Sequence, residues 1–271
     1  MKNSIENIAF RCDNVKREVL GQEWRTELFR REFRVIPFSR IFYPVRGEGF
    51  VEYNGNTYRL CRGKILLIPA FAQVSLRCPL MLEKYWIHFN AFFCDTTVDI
   101  FLMNHECIEL DVTDFSFQTG IFERILADFS QNSIVKQYEF DALLRLLIAP
   151  FLEKISGDTG ERELPNFLEL LLFIDKNLHR KLPLNELARH AGLCPSYLSR
   201  LFSEKMQRRL QDYIGMHRAF RAAQLIMENR YSIGEIGDML GFSNVSVFSK
   251  VFKKHFGISP LAFRKNRRRY S

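Results

Sequence analysis

The sequence predicts a two-domain α+β chain: an N-terminal antiparallel β-barrel with flanking helices, then an all-α domain built from two helix-turn-helix units. Three observations carry this. From about Val35 to Phe93, apolar, aromatic and β-branched residues fall in short runs between turn signals. From Thr119 the apolar spacing changes to that of a helix. After Glu163 one block of sequence occurs twice, at an offset of 49 residues.

The strand runs come first. Arg40–Val45, Gly49–Tyr53, Thr57–Leu60, Lys64–Ile68 and Tyr85–Phe89 are the expected strands. Arg46-Gly47-Glu48-Gly49, Asn54-Gly55-Asn56 and Arg62-Gly63 are the expected turns, with Asn54-Gly55 a hairpin signal. Short strands at this spacing predict an antiparallel barrel or sandwich. Next, Ile121, Ile125, Leu126 and Phe129, then Phe140, Leu143, Leu144, Leu147 and Phe151, recur every three to four residues. They predict two antiparallel helices whose apolar stripes exceed what one small barrel face covers, so these helices are expected to form a homodimer. The polar stretch 156–165, with two glycines and a proline, reads as a linker. The expected domains are therefore residues 1–155 and 166–271.

Composition narrows the function. The chain has 271 residues, enough for two ordinary domains, and 47% are hydrophobic, which excludes a disordered chain. No apolar run approaches the ~20 residues of a membrane span, and the first ten residues lack a secretory core. A cytoplasmic location is expected. The six cysteines are scattered without a CxxC pair, so they are expected to be reduced, and no zinc cluster or other cofactor site is visible. Residues 163–271 hold 19 Lys+Arg against 9 Asp+Glu, while the rest holds 20 against 22. A net +10 beside a net −2 points to a polyanion partner for the C-terminal half.

The repeat carries the chemistry. Leu184-Asn185-Glu186-Leu187-Ala188-Arg189-His190-Ala191-Gly192 matches Ile233-Gly234-Glu235-Ile236-Gly237-Asp238-Met239-Leu240-Gly241. Further on, Tyr197–Phe202 matches Val247–Phe252 at an offset of 50, a one-residue slip inside a turn. Each copy has a small residue, Ala188 or Gly237, where a second helix crosses closely. Four residues later a glycine, Gly192 or Gly241, ends the helix at a positive φ. The second helix turns Leu198, Leu201 and Phe202, or Phe248, Val251 and Phe252, inward. Ser232 with Glu235 forms a capping box.

At these residues the chain resembles the AraC/XylS family of transcription regulators. Gly241-Phe242-Ser243-Asn244, Phe248-Ser249-Lys250-Val251-Phe252-Lys253-Lys254, Gly257-Ile258-Ser259-Pro260 and Phe263-Arg264 carry the likeness, together with Tyr213, Arg218, Ala222 and Leu225 between the two units. The resemblance covers about residues 168–266. It implies two helix-turn-helix units joined by a long helix, entering neighbouring major grooves. It places base-edge readers at Ser196, Ser199 and Arg200, and at Val245, Ser246, Ser249 and Lys250. Arg200 suits bidentate pairing with guanine. Lys253, Lys254 and the tail Arg267-Arg268-Arg269 suit phosphates. Departures are Gly237 in place of alanine, Cys194 in place of a serine cap, Gln207-Arg208-Arg209 in place of a Gly-x-Ser turn, and Val247 and Phe263 in place of tyrosine.

A looser likeness covers about residues 20–100 and resembles the same family's cupin-like sensor domain. Val45-Arg46-Gly47-Glu48-Gly49, Gly63–Pro69 and Tyr85-Trp86-Ile87-His88-Phe89 carry it. It implies ligand contacts at Arg46 and Trp86, with His88 on the same strand face as Trp86. Tryptophan stacks on sugar faces and arginine supplies directed donors. The expected effector is a small polar molecule, a sugar or sugar derivative, and the expected partners are promoter DNA and RNA polymerase. Ala72-Gln73-Val74-Ser75 stands where relatives often place a pocket histidine, which argues against arabinose. Two alternatives differ in class: a sensor domain that answers to a protein partner, and a metal-dependent cupin enzyme. The enzyme would need a cluster of histidines, and the N-terminal half offers only His88 and His105.

Overall fold

In the computed structural model the described residues are 8–24, 38–93, 96, 98–101, 106–131, 133–158 and 164–265. Strands β1 (Ile8–Leu20), β2 (Ser39–Tyr53), β3 (Asn56–Cys61), β4 (Lys64–Ile68), β5 (Ser75–Arg77), β6 (Leu82–Phe93) and β7 (Ile108–Asp111) are followed by helices only. The helices are α1 (Phe115–Asp128), α2 (Ile134–Asp158), α3 (Leu164–Lys176), α4 (Leu184–His190), α5 (Pro195–Met206), α6 (Leu210–Glu228), α7 (Ile233–Met239), α8 (Val245–Phe256) and α9 (Pro260–Lys265). The expected fold class holds. Half of the expected linker, residues 159–163, lies outside the described residues; α2 runs to Asp158 and α3 starts at Leu164.

The strands are antiparallel and share one long member. The main sheet runs β1-β6-β2-β4-β7, and β3 and β5 flank the second half of β2. The expected turn at Arg46–Gly49 is instead a bend within β2. The register against β6 slips between Pro44 and Arg46, and Gly47 takes φ 76°. A Cβ on Gly47 would sit 2.1 Å from the Met81 carbonyl oxygen, so a glycine is required. This bend lets one strand serve both layers of an open barrel. Asn54-Gly55 makes the β2–β3 hairpin as expected. Sequence reading missed β1, β5 and β7.

Alternation sorts the sheet into two faces. Ile41, Tyr43, Tyr85, Ile87 and Phe89 pack against α1 and α2, where Phe122, Ile125, Leu144, Leu147 and Phe151 complete a core. Tyr43 and Phe122 stack with centroids 5.0 Å apart. The intervening residues Arg40, Phe42, Lys84, Trp86 and His88 line a cavity on the other face. This corrects the basis of the dimer expectation: Leu144, Leu147 and Phe151 are buried on their own barrel. The exposed apolar residues of α2 are Ile134, Val135, Tyr138 and Leu146.

The helical half has two cores that meet on α6. One gathers Phe167, Leu170, Leu187, Leu198, Phe202 and Tyr213; the other gathers Ala219, Ile226, Ile236, Phe248, Phe252 and Phe263. The first is completed from the barrel side by Ala70, Phe71, Phe92 and Val98. No helix among the described residues is long and apolar enough to cross a membrane.

Candidate DNA-reading face and ligand cavity

Each helix-turn-helix unit closes with the same hydrogen bonds. Leu193 N–H donates to the Ala188 carbonyl at 2.8 Å, and Phe242 N–H to the Gly237 carbonyl at 3.1 Å. Gly192 and Gly241 both take φ 67°. At Gly241 a Cβ would lie 2.6 Å from the His179 carbonyl oxygen, so the loop before α4 rests on the second unit. Arg218 holds the same loop, donating to the Leu178 carbonyl at 2.9 Å and to the Arg180 carbonyl. The two units are thus tied to each other as well as to α6.

The caps differ between the units. Asn244 accepts from Val247 N–H at 2.9 Å, and Ser232 and Glu235 complete the expected capping box. Cys194 makes no such bond at the head of α5. Gln207, in place of a glycine, ends α5 at φ 48°. The first unit is therefore the less well capped.

The second helix of each unit buries one face and exposes the other. On α5, Leu198, Phe202 and Met206 are buried, while Ser196, Ser199 and Arg200 are exposed. Arg200 lies over the Tyr197 ring at 5.4 Å and 3.8 Å from Glu204, weak tethers for a side chain that is 69% exposed. On α8, Phe248, Phe252, His255 and Phe256 are buried, while Val245, Ser246, Lys250 and Lys253 are exposed and Ser249 is half-buried. Lys254 is exposed but ion-paired with Asp212 of α6. Tyr197 and Val247 are partly exposed on the same two helices and were not among the expected readers. The basic tail from Arg267 lies outside the described residues.

The barrel cavity has a volume of about 1080 Å³, large enough for a small organic molecule. Trp86 and His88 line it, as expected. Arg46 does not: it is exposed, on the outer side of the β2 bend. Arg40, six residues earlier, takes the interior position. Its side chain is buried, and its Nη2 donates to the Ala72 carbonyl at 2.9 Å. Nearby, Lys84 is buried, pairs with Glu18 at 2.6 Å, and sits 4.4 Å from the Phe42 ring. Burial and the cations Arg40, Lys84 and Lys16 push the His88 pKa down to about 3, so its ring is neutral at physiological pH. The Trp86 and His88 rings lie 4.4 Å apart. Among the described residues no group of His, Cys, Asp and Glu is arranged to hold a metal ion.

A barrel with an inner cavity, joined to paired helix-turn-helix units, defines the class: a DNA-binding regulator with a ligand-binding domain. Residues 18–149 match the AraC-like ligand binding domain, and residues 187–266 match a helix-turn-helix domain. The chain belongs to the AraC family of transcription regulators. It is 25% identical to the Msm operon regulatory protein of Streptococcus mutans, over 83% of each chain. It is 22% identical to the lactose operon transcription activator of Staphylococcus xylosus, over 86% of this chain and 85% of that one. ToxT from Vibrio cholerae shares the fold, with a TM-score of 0.58 and 15% identity over 94% of this chain and 97% of that one. These relatives place the chain among regulators, not enzymes.

Arg200 and Lys253 are expected to play different roles because they differ in position on the helices. Arg200→Ala is expected to relax base preference by about 1–3 kcal/mol at one position of the site. Lys253→Ala, one turn past the readers on α8, is expected to weaken all sequences alike and lower the salt slope by about one. Competition binding against single-base variants of the operator checks both. An unchanged mismatch profile in Arg200→Ala removes its reading role.

Proposed function

We propose that this chain is a cytoplasmic transcription activator that binds promoter DNA through α5 and α8 and is controlled by a sugar or sugar derivative held in the barrel cavity. The observation that carries the reading is the cavity itself: a tryptophan, a neutral histidine and a buried arginine face one space beside an AraC-type DNA-binding domain. Aromatic faces suit apolar sugar faces, and fixed N–H donors suit hydroxyls. The lactose operon activator among the relatives supports a carbohydrate. Ser196, Ser199, Arg200, Val245, Ser246, Ser249 and Lys250 read bases, and Lys253 and Lys254 hold phosphates, Lys254 after release from Asp212. RNA polymerase is the partner through which such an activator acts. The test is a monosaccharide panel against the full chain, read by melting temperature and by operator affinity. A ligand must favour one state of the protein over the other to switch it. If no sugar or sugar derivative moves either quantity, or Trp86→Ala leaves a shift unchanged, the cavity assignment is wrong.

The active form is a homodimer joined through α2. Ile134, Val135 and Tyr138, 65–76% exposed, form an apolar cluster near its N-terminal end. Val135→Glu with Tyr138→Glu is expected to convert a dimer to a monomer in light scattering without lowering the melting temperature. A wild-type chain that stays monomeric at high micromolar concentration rejects the dimer.

A further inference from the structure

The cavity's charges do not balance group by group. Among the described residues four charged side chains line it: Glu18, Arg40, Glu52 and Lys84. Glu18 and Lys84 neutralise each other. Glu52 is exposed on the β2–β3 hairpin. Arg40 is 2% exposed and makes no ion pair among the described residues. Among the described residues its Nη2 donates to the Ala72 carbonyl, and its Nε is buried without a partner. The Trp86 Nε1, which belongs to the same cavity, is likewise buried without a partner. A guanidinium taken out of water is costly unless it meets an opposite charge in its plane. No carboxylate among the described residues meets it, which leaves the plane of the guanidinium open to the charge of a molecule that enters.

The acceptor of Arg40 sits in an unusual place. Ala72 follows Phe71, whose φ of 63° is strained for a residue with a side chain. That conformation directs Phe71 away from the cavity and into the first helix-turn-helix core. Its ring lies 5.7 Å from Phe220 and 5.8 Å from His217, both on α6. Gln73, the next residue but one, lines both the barrel cavity and a second cavity shared with Arg208, Asp212 and Lys254. One short turn therefore has an inner end bonded to Arg40 and an outer end wedged into the DNA-binding domain.

We propose that the effector carries a compact anionic group, a carboxylate or a phosphate, that docks on Arg40, and that the turn Arg40–Ala72–Phe71 passes its arrival to α6. This rests on the cavity being the effector site, and it names the charge of the ligand and the route of control. An anion in the plane of the guanidinium competes with the Ala72 carbonyl for Nη2. Losing that bond frees a strained turn whose far side is the Phe71 wedge.

The test uses the full-length chain and probes matched except in charge: galactose, galacturonate, galactose 6-phosphate and inorganic phosphate, at constant ionic strength. The charged members are expected to raise the melting temperature above galactose. A charge-assisted contact is strong enough that Arg40→Met should weaken their binding about tenfold to hundredfold. Arg40→Lys, which keeps the charge, should retain part of it and serves if Arg40→Met folds poorly. Phe71→Ala should leave binding in place but remove the ligand's effect on operator affinity. If charged and neutral probes bind alike, or no probe responds to either Arg40 substitution, the anion site is refuted. A neutral sugar whose binding still depends on Trp86 would leave the effector cavity standing without it. If Phe71→Ala keeps the full response of operator affinity, the route through the turn is refuted.

Discussion

Operator affinity is expected to fall about 10³–10⁵-fold as salt rises from ~50 to ~200 mM. The cause is the placement of charge. The net +10 belongs to residues 163–271, and the barrel half is near neutral, so it neither helps nor opposes the approach to DNA. Exposed cations lie on or beside the reading helices: Arg189, Arg200, Lys205, Arg209, Lys250 and Lys253. Neutralising six to ten phosphates releases that many counterions, and each contributes to the slope. Lys254 adds to it only on leaving Asp212, so Asp212→Asn should steepen the slope and tighten binding at low salt. Fluorescence anisotropy with a labelled operator across a salt series measures both. An affinity that is flat in salt would mean that these cations are solvated surface and that α5 and α8 do not lie against a duplex.

The DNA-binding half was legible because its signals are local. Helix periodicity, the two glycines at φ 67° and the Ser232–Glu235 box all act within a few residues, and the periodicity and the glycine occur in both units. The barrel half depends on contacts far apart in the chain. β1 was missed because it pairs with β6, some 70 residues away, and its own pattern mixes Ile8 and Val15 with exposed charges. The Arg46–Gly49 stretch has the composition of a turn, yet tertiary packing draws it into a bent strand.

The candidate cavity was half legible for the same reason. Trp86 and His88 carry a family pattern on β6, and period-two alternation puts both on the cavity face. The same alternation includes Lys84, and Arg40 shares the cavity face of β2 with Phe42; charged residues inside otherwise apolar strands were the available signal. Arg46 was expected from its place in the Arg-Gly-x-Gly motif. The register slip at Pro44–Arg46 moves it to the outside and leaves the interior arginine role to Arg40. The Phe71 wedge had no local signal, since a positive φ at a phenylalanine follows no residue preference.

Phe248→Ala is expected to cost about 3–5 kcal/mol and to disable the second helix-turn-helix unit. Phe248 is fully buried at the centre of that unit. It meets Phe242 at 5.1 Å and Phe252 at 5.9 Å, and Gly237 of α7 packs so closely on it that a Cβ there would lie 3.3 Å from its ring. Removing the ring opens a cavity where α7 and α8 cross, and the mean crossing distance is already set by the smallest residue available. A whole domain has only about 5–15 kcal/mol in hand, so a loss of this size falls on a large fraction of it. The damage should stay local. The first unit has its own core around Phe202, whose partners are Phe167 and Tyr213, and it is braced from the barrel by Phe71. The variant should therefore protect one half-site and lose the other in footprinting, with amide exchange accelerated in α7–α9 before α4–α5. Phe248→Leu keeps most of the volume and should cost under about 1.5 kcal/mol, with both half-sites protected. A collapse of both units together would show that the two cores are a single cooperative body and that α6 transmits the defect, whereas a complete footprint at wild-type affinity would show that the second unit does not depend on the Phe248 ring.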